Sequence, residues 1–159
     1  MKSGMGKVMI IRPLHNDEKP PFDLLLLADP SLEVVNSYIG RGHCFVAVRN
    51  GHIIGVYVLI DTRPQTVELV NIAVSPQEQG KGIGKKLVFH AIETAQSMGY
   101  KTIEVGTGNS SISQLALYQK CGFRIVGIDK DYFINHYQDA IYENGIQCRD
   151  MIRLSKHLF

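Results

Sequence analysis

A strand that runs out into Gln79-Gly80-Lys81-Gly82-Ile83-Gly84 and then into an amphipathic helix constrains this chain more than any other feature. Ile83, Leu87, Ala91 and Ala95 recur at four-residue spacing, with Val88 and Ile92 beside them. One face of a helix over Gly82–Met98 is therefore apolar, Lys86, Glu93 and Gln96 take the other face, and Gly99 stops it. The run before the turn, Thr66–Ser75, reads as a strand ending at Pro76. The first N–H groups of such a helix have no intrahelical partner, and its dipole is positive there. Glycines let backbone amides approach a ligand without a Cβ in the way. Lys81, Lys85 and Lys86 add positive charge. The stretch is an anion site matched to phosphate or pyrophosphate. A turn that merely joins strand to helix would need neither the alternate glycines nor the lysines.

Two familiar phosphate motifs fail. The Walker pattern needs four residues between its glycines and then Lys followed by Ser or Thr. Here Gly80 and Gly84 enclose three residues, and Lys85 precedes Lys86. The dinucleotide pattern G-x-G-x-x-G fails because the spacing is G-x-G-x-G. Its acidic partner should end a second parallel strand, and Glu104 falls mid-strand instead.

The rest of the chain supplies strands at Val8–Ile11, Cys44–Arg49, His52–Asp61, Thr102–Val105, Phe123–Ile128 and Cys148–Leu154. Asn50-Gly51 between two β-rich runs signals a hairpin. Helices are expected over Phe22–Ala28, over Ser31–Ile39 with Ser31 as N-cap, and over Ser110–Cys121 with Gly122 beyond its end. This order predicts an α/β fold in one domain, 1–159, with a mixed, mainly antiparallel sheet flanked by helices.

Charge and composition exclude several classes. Lys+Arg 17 against Asp+Glu 15 is too even to argue for nucleic acid or an anionic membrane. Leu24–Ala28 lies between Asp23 and Asp29, and Gly55 interrupts Ile53–Ile60, so neither run approaches the roughly 18–20 residues of a membrane span. Met1–Lys7 lacks a leader's apolar core, and Met5-Gly6 is no lipidation start, so a cytoplasmic protein is expected. Cys44, Cys121 and Cys148 are odd in number and widely spaced, against a disulfide framework or a thiolate zinc site. The histidines 15, 43, 52, 90, 136 and 157 show no metal-binding spacing, so no metal is expected.

Gln79-Gly80-Lys81-Gly82-Ile83-Gly84 resembles the Q/R-x-x-G-x-G/A signature of the GNAT N-acetyltransferases. Glu68–Ser75 before it, and Asn109 followed by Ala116-Leu117-Tyr118-Gln119-Lys120-Cys121-Gly122-Phe123 after it, are similar to that family's flanking motifs. The resemblance covers about Phe45 to Ile128 well and the ends weakly. It implies an enzyme that moves the acetyl group of acetyl-CoA to a primary amine by direct attack in a ternary complex. It also implies a sheet split between strands 66–75 and 102–107, with the pantetheine arm in the gap.

Carried over residue by residue, the resemblance implies that amides around Gln79, Gly80, Lys81, Gly82, Gly84 and Lys85 cradle the CoA pyrophosphate. Backbone groups of Ile72 and Val74 meet the cofactor's amides, with an N–H near Ile72 polarising the thioester carbonyl. Tyr118 protonates the departing thiolate; a core aromatic is the plain reading of the same residue. Asn109 holds the cofactor at the mouth of the split, or only caps a helix with Ser110. Glu68 is a base candidate about 13 Å from Ile72 along the strand at ~3.3 Å per residue, and so acts through water; a solvent-facing strand carboxylate is its alternative. His136 is a second base candidate.

Asp129–Gln147 departs from the family pattern, with Asp129, Asp131, Tyr132, Phe133, His136, Tyr137, Asp139, Tyr142 and Glu143. It reads either as an acceptor lid or as a surface excursion or homodimer contact. As a lid, its excess of carboxylates would favour small cationic amines. An acyl-CoA sensor without turnover, a peptide or protein N-acetyltransferase, and a structural subunit remain open beside the small-amine enzyme.

Overall fold

The computed structural model describes residues 8–159; the reading of Met1–Lys7 lies outside them. The strands are β1 (Met9–Pro13), β2 (His43–Arg49), β3 (His52–Arg63), β4 (Thr66–Val74), β5 (Thr102–Gly108), β6 (Arg124–Asp129), β7 (Ile141–Glu143), β8 (Ile146–Cys148) and β9 (Met151–His157). The helices are α1 (Phe22–Ala28), α2 (Leu32–Ile39), α3 (Ile83–Ser97), α4 (Ile112–Lys120) and α5 (Tyr132–His136). The main sheet runs β1-β2-β3-β4-β5-β9-β6, and β7-β8 forms a separate hairpin. Every neighbouring pair is antiparallel except β4 and β5. That parallel pair needs a crossover, which α3 supplies. The fold is the α/β arrangement expected from the sequence.

The sheet splits where the resemblance implied. The parallel pairing joins Thr66–Leu69 to Thr102–Val105 and goes no further. At that level β4 carries a bulge: Leu69 lies opposite Leu59 and Asn71 opposite Val58, leaving Val70 unpaired against β3. An extra residue bends and twists its strand. Beyond Leu69, β4 stays with β3, while Gly106–Gly108 of β5 stay with Met151–Arg153 of β9.

Helices cover both faces of the sheet. On one, Leu87, Ala91 and Ala95 of α3 and Tyr118 of α4 pack with Tyr57, Leu69 and Ile103. On the other, Leu25 of α1 and Val35 and Tyr38 of α2 pack with Val46, Val56 and Val58. Leu87 is fully buried, and trimming such a side chain to Ala costs about 2–5 kcal/mol. Ser31 caps α2 as expected, accepting from the Val34 N–H at 3.2 Å. The Asn50-Gly51 hairpin forms with both residues at positive φ, 54° and 77°.

Several boundaries differ from the sequence reading. Cys148–Leu154 is not one strand. The N–H groups of Arg149 and Asp150 both donate to Asn109 Oδ1, at 2.8 and 2.9 Å, so those residues join no ladder and separate β8 from β9. Thr102–Val105 continues through Gly108, because β9 still pairs with it there. A Cβ at Gly106 would collide with Met151 Sδ and one at Gly108 with Cys148 Sγ, so these glycines admit sulfur atoms rather than end the strand. Asp129–Gln147 folds into α5 and the β7–β8 hairpin, turned by Asn144 and Gly145 at φ 54° and 74°.

Candidate active site

The widened gap between β4 and β5 opens into a cavity of about 570 Å³. Glu68, Asn71 and Ile72 of β4, Gly106–Gly108 of β5, and Gln114 and Tyr118 of α4 line its inner end. Asp29 and Tyr38 from the α1–α2 side, and Tyr132, Phe133 and Tyr137 of the α5 segment, line its outer end. The structure thus brings Glu68, Ile72 and Tyr118 to one space. His136 is exposed, packs at a tilt against Tyr132 with ring centroids 4.5 Å apart, and does not line the cavity.

Strand alternation sets which backbone groups face the gap. The Ser75 N–H donates to Ile54 O of β3 at 2.8 Å. By the two-residue period of a strand, Ala73 turns the same way, and Ile72 and Val74 turn toward the gap. The Val74 carbonyl accepts from Gln79 Nε2 at 3.0 Å, so the first side chain of the turn is tied to the strand edge.

Past Val74 the chain makes a short 3-10 turn at Pro76–Glu78 and reaches the glycines. Gly80 and Gly82 sit at φ 80° and 81°, and a Cβ on either would point into open space. Gly82 begins α3 with no side-chain cap, and the first helical bond comes from the Lys86 N–H to Gly82 O at 3.2 Å. The Ile83, Gly84 and Lys85 amides ahead of it therefore have no intrahelical acceptor. Gly84 differs: its backbone φ is not positive, and its Cβ position faces Leu117 Cδ2 at 3.7 Å, an ordinary packing distance between α3 and α4. Glu78 accepts from Arg49 at 2.9 Å and from Lys81 at 3.2 Å, while Lys85 lies over the Phe89 ring at 5.9 Å. The turn lies outside the cavity, at the end of the strand that forms its wall.

Tyr118 is only 3% exposed, packs edge-on against Phe123 at 5.9 Å, and has its phenol pushed well above the usual range by burial. Glu68 makes no ion pair or hydrogen bond among the described residues; burial raises its carboxyl, and Arg153 then pulls it back. Asn109 spends its side chain on residues 147–150. Besides the two amides at Oδ1, its Nδ2 donates to Gln147 O at 3.1 Å.

The lining also holds Asp29, Tyr38 and Asn71, which the sequence did not single out. Asp29 accepts from Tyr137 at 2.9 Å and from Tyr38 at 3.4 Å. Asn71 donates to the Tyr38 hydroxyl at 2.8 Å and to Leu25 O at 3.0 Å. Glu143 of the hairpin accepts from Ser110 at 3.0 Å and Ser111 at 2.8 Å. Asn144-Gly145 was the available signal for that hairpin, being the same dipeptide that marks the first one.

The Acetyltransferase (GNAT) family model matches residues 11–123. The chain belongs to the GNAT acetyltransferase family. It is 62% identical over 139 residues to the uncharacterized N-acetyltransferase YvbK of Bacillus subtilis (strain 168), covering 87% of this chain and 88% of that protein. Among solved structures it is similar to a Bacillus subtilis acetyltransferase in complex with CoA, with a TM-score of 0.91 at 56% identity over 96% of this chain and 100% of that one. A GNAT acetyltransferase from Elizabethkingia anophelis with acetyl-CoA bound gives a TM-score of 0.92 at 46% identity, over 94% and 97% of the two chains. An IAA acetyltransferase from Bacillus cereus ATCC 14579 gives 0.91 at 57%, over 94% and 99%.

This GNAT protein is an acetyl-CoA-dependent N-acetyltransferase, and its own residues fit that donor. A thioester arm with amides needs a strand edge with free backbone groups, and β4 offers one after Leu69. A pyrophosphate needs unpaired amides without obstructing side chains, which the uncapped start of α3 and the open positions at Gly80 and Gly82 offer. Among the described residues no group of three or more His, Cys, Asp or Glu is placed to hold a metal, and no helix is long and apolar enough to cross a membrane.

Proposed function

We propose that this enzyme acetylates a primary amine by direct attack in a ternary complex, with Tyr118 as general acid and Glu68 as general base. The observation that carries the reading is the single cavity onto which Glu68, Ile72 and Tyr118 open, at the point where β4 and β5 part. The turn amides around Gln79, Gly80, Lys81, Gly82, Gly84 and Lys85 bind the pyrophosphate, and Val74 and Ile72 hold the arm by their backbone. The Ile72 N–H stabilises the oxygen that gains charge as the amine nitrogen bonds to the thioester carbon. The amine's proton passes through water to Glu68. As the C–S bond breaks, the thiolate takes the Tyr118 proton.

A phenol raised by burial gives its proton only to a strong base, and a thiolate formed in a desolvated slot is one. A carboxylate raised by burial is a stronger base than a solvated one. Asn109 enters as a positioning residue, since its side chain holds residues 147–150 of the lid. All three cysteines are free thiols, which accords with the cytoplasm.

The cationic preference inferred from the lid's net charge keeps only part of its support. Asp129 pairs with Arg153, Asp131 with Arg149, Glu143 takes two serine hydroxyls, and Asp150 accepts from the Asp131 N–H at 2.8 Å. The two paired with arginine are neutralised, whereas Glu143 and Asp150 accept only from neutral donors and keep their charge. The test of the reading is a panel of amines with acetyl-CoA and thiol release as readout: transfer to at least one primary amine, depending on Tyr118, is expected. Acetyl-CoA binding without transfer to any amine would contradict it.

A further inference from the structure

We propose that the acceptor is an α-amino acid with an apolar or aromatic side chain, its amine presented to Glu68 and its carboxylate held by Arg41 at the cavity mouth. The inference rests on the acetyl-transfer reading above. Of the charged side chains lining the cavity, most already have partners. Asp29 has two tyrosine hydroxyls, Glu143 has two serines, and Arg153 donates to Asp129 through Nε at 2.6 Å. Glu68 on β4 and Arg41, just beyond α2, are the two that no other side chain binds among the described residues. Arg41 is exposed and uses only Nε, on Ser37 O at 3.4 Å, so both terminal nitrogens are free.

An unpaired carboxylate and an unpaired guanidinium on one cavity are the complement of a zwitterion. A planar guanidinium grips a carboxylate bidentately, which an ammonium cannot do. Both residues line the same cavity, where burial pushes the Glu68 carboxyl up and Arg153, then Arg41, pull it down. The remaining lining supplies the apolar part: Leu27, Val34, Ile60, Tyr132 and Phe133 can pack on a side chain. A polyamine would bring a second cation toward Arg41, and a protein N-terminus has no carboxylate on the reacting residue. A cavity of about 570 Å³ suits a small acceptor beside the thioester end of the donor.

The test compares each amino acid with the amine made by removing its carboxylate. L-Phenylalanine against phenethylamine, L-leucine against isoamylamine, and spermidine are assayed with acetyl-CoA by thiol release. Acetyl-CoA affinity is measured by calorimetry on the same preparations. At least one of the two amino acids should exceed its decarboxylated partner at least tenfold in kcat/KM, and Arg41→Gln should lower that ratio at least tenfold. A wild-type enzyme preferring the decarboxylated amines or spermidine would overturn the proposal and leave the acetyl-transfer reading intact. A ratio unchanged in a folded Arg41→Gln variant would do the same. Normal acetyl-CoA binding with no amine turned over would overturn the transfer reading itself.

Discussion

The Tyr137 hydroxyl donates to Asp29 Oδ1 at 2.9 Å, joining residues 108 positions apart in the chain. The bond ties the segment that follows α5 to the loop between α1 and α2, across the outer end of the cavity. Asp29 is the shared acceptor, since Tyr38 donates to its other oxygen. That segment is therefore held to the opposite wall by a side-chain bond rather than by strand pairing.

Tyr137→Phe keeps the ring and removes that bond. A hydrogen bond to a carboxylate oxygen in a half-buried site contributes about 1–2 kcal/mol, which corresponds to a Tm lower by roughly 3–8 °C for a chain of this size. The acceptor KM should rise several-fold while acetyl-CoA affinity stays unchanged. An unaltered acceptor KM would remove the lid from acceptor binding.

Gly82→Val and Gly84→Ala separate ligand binding from packing within one turn. Valine at φ 81° is strained and carries its side chain into the space in front of the helix amides. Acetyl-CoA affinity should fall at least tenfold, about 1.4 kcal/mol. Alanine at position 84 meets Leu117 at 3.7 Å, so stability and affinity should barely move. Calorimetry on both folded variants checks the pair; equal affinities would contradict the pyrophosphate assignment.

Much of this architecture was legible in the sequence, and the exceptions share a cause. The four-residue apolar spacing of Ile83–Ala95 and the Asn50-Gly51 dipeptide are local signals, and α3 and the first hairpin follow them. The break between β8 and β9 has no local signal, because it is made by Asn109 accepting from Arg149 and Asp150 some 40 residues away. Gly106 and Gly108 mimic a strand end, yet their role is to admit Met151 and Cys148. The strand edge of β4 and the glycine turn after it form one contiguous stretch, so their geometry could be read. The outer wall of the cavity, lined by Asp29, Tyr38, Arg41 and Tyr137, is assembled from distant segments without a repeating pattern.

The raised Glu68 carboxyl gives two pH dependences of opposite use. As a base it must be ionised, so kcat/KM should fall with acid at a pH above the ordinary carboxylate range. Glu68→Gln should abolish that acidic limb along with most of the rate. For stability, a carboxyl whose folded pKa is raised binds its proton more tightly in the native state. Its penalty is absent below the unfolded pKa and complete above the folded one. Glu68→Gln should therefore stabilise the protein at pH 8 and not at pH 4. Thermal melts at the two pH values check the sign, and a variant destabilised at pH 8 would contradict the burial cause.

Tyr118→Phe tests the central claim most directly. The substitution keeps the ring that packs on Phe123 and deletes only the hydroxyl of a residue that lines the cavity. If that hydroxyl protonates the leaving thiolate, turnover measured by thiol release should drop by about 10²-fold or more, with acetyl-CoA affinity by calorimetry unchanged. A folded variant that binds acetyl-CoA normally and turns over at the wild-type rate would contradict the account.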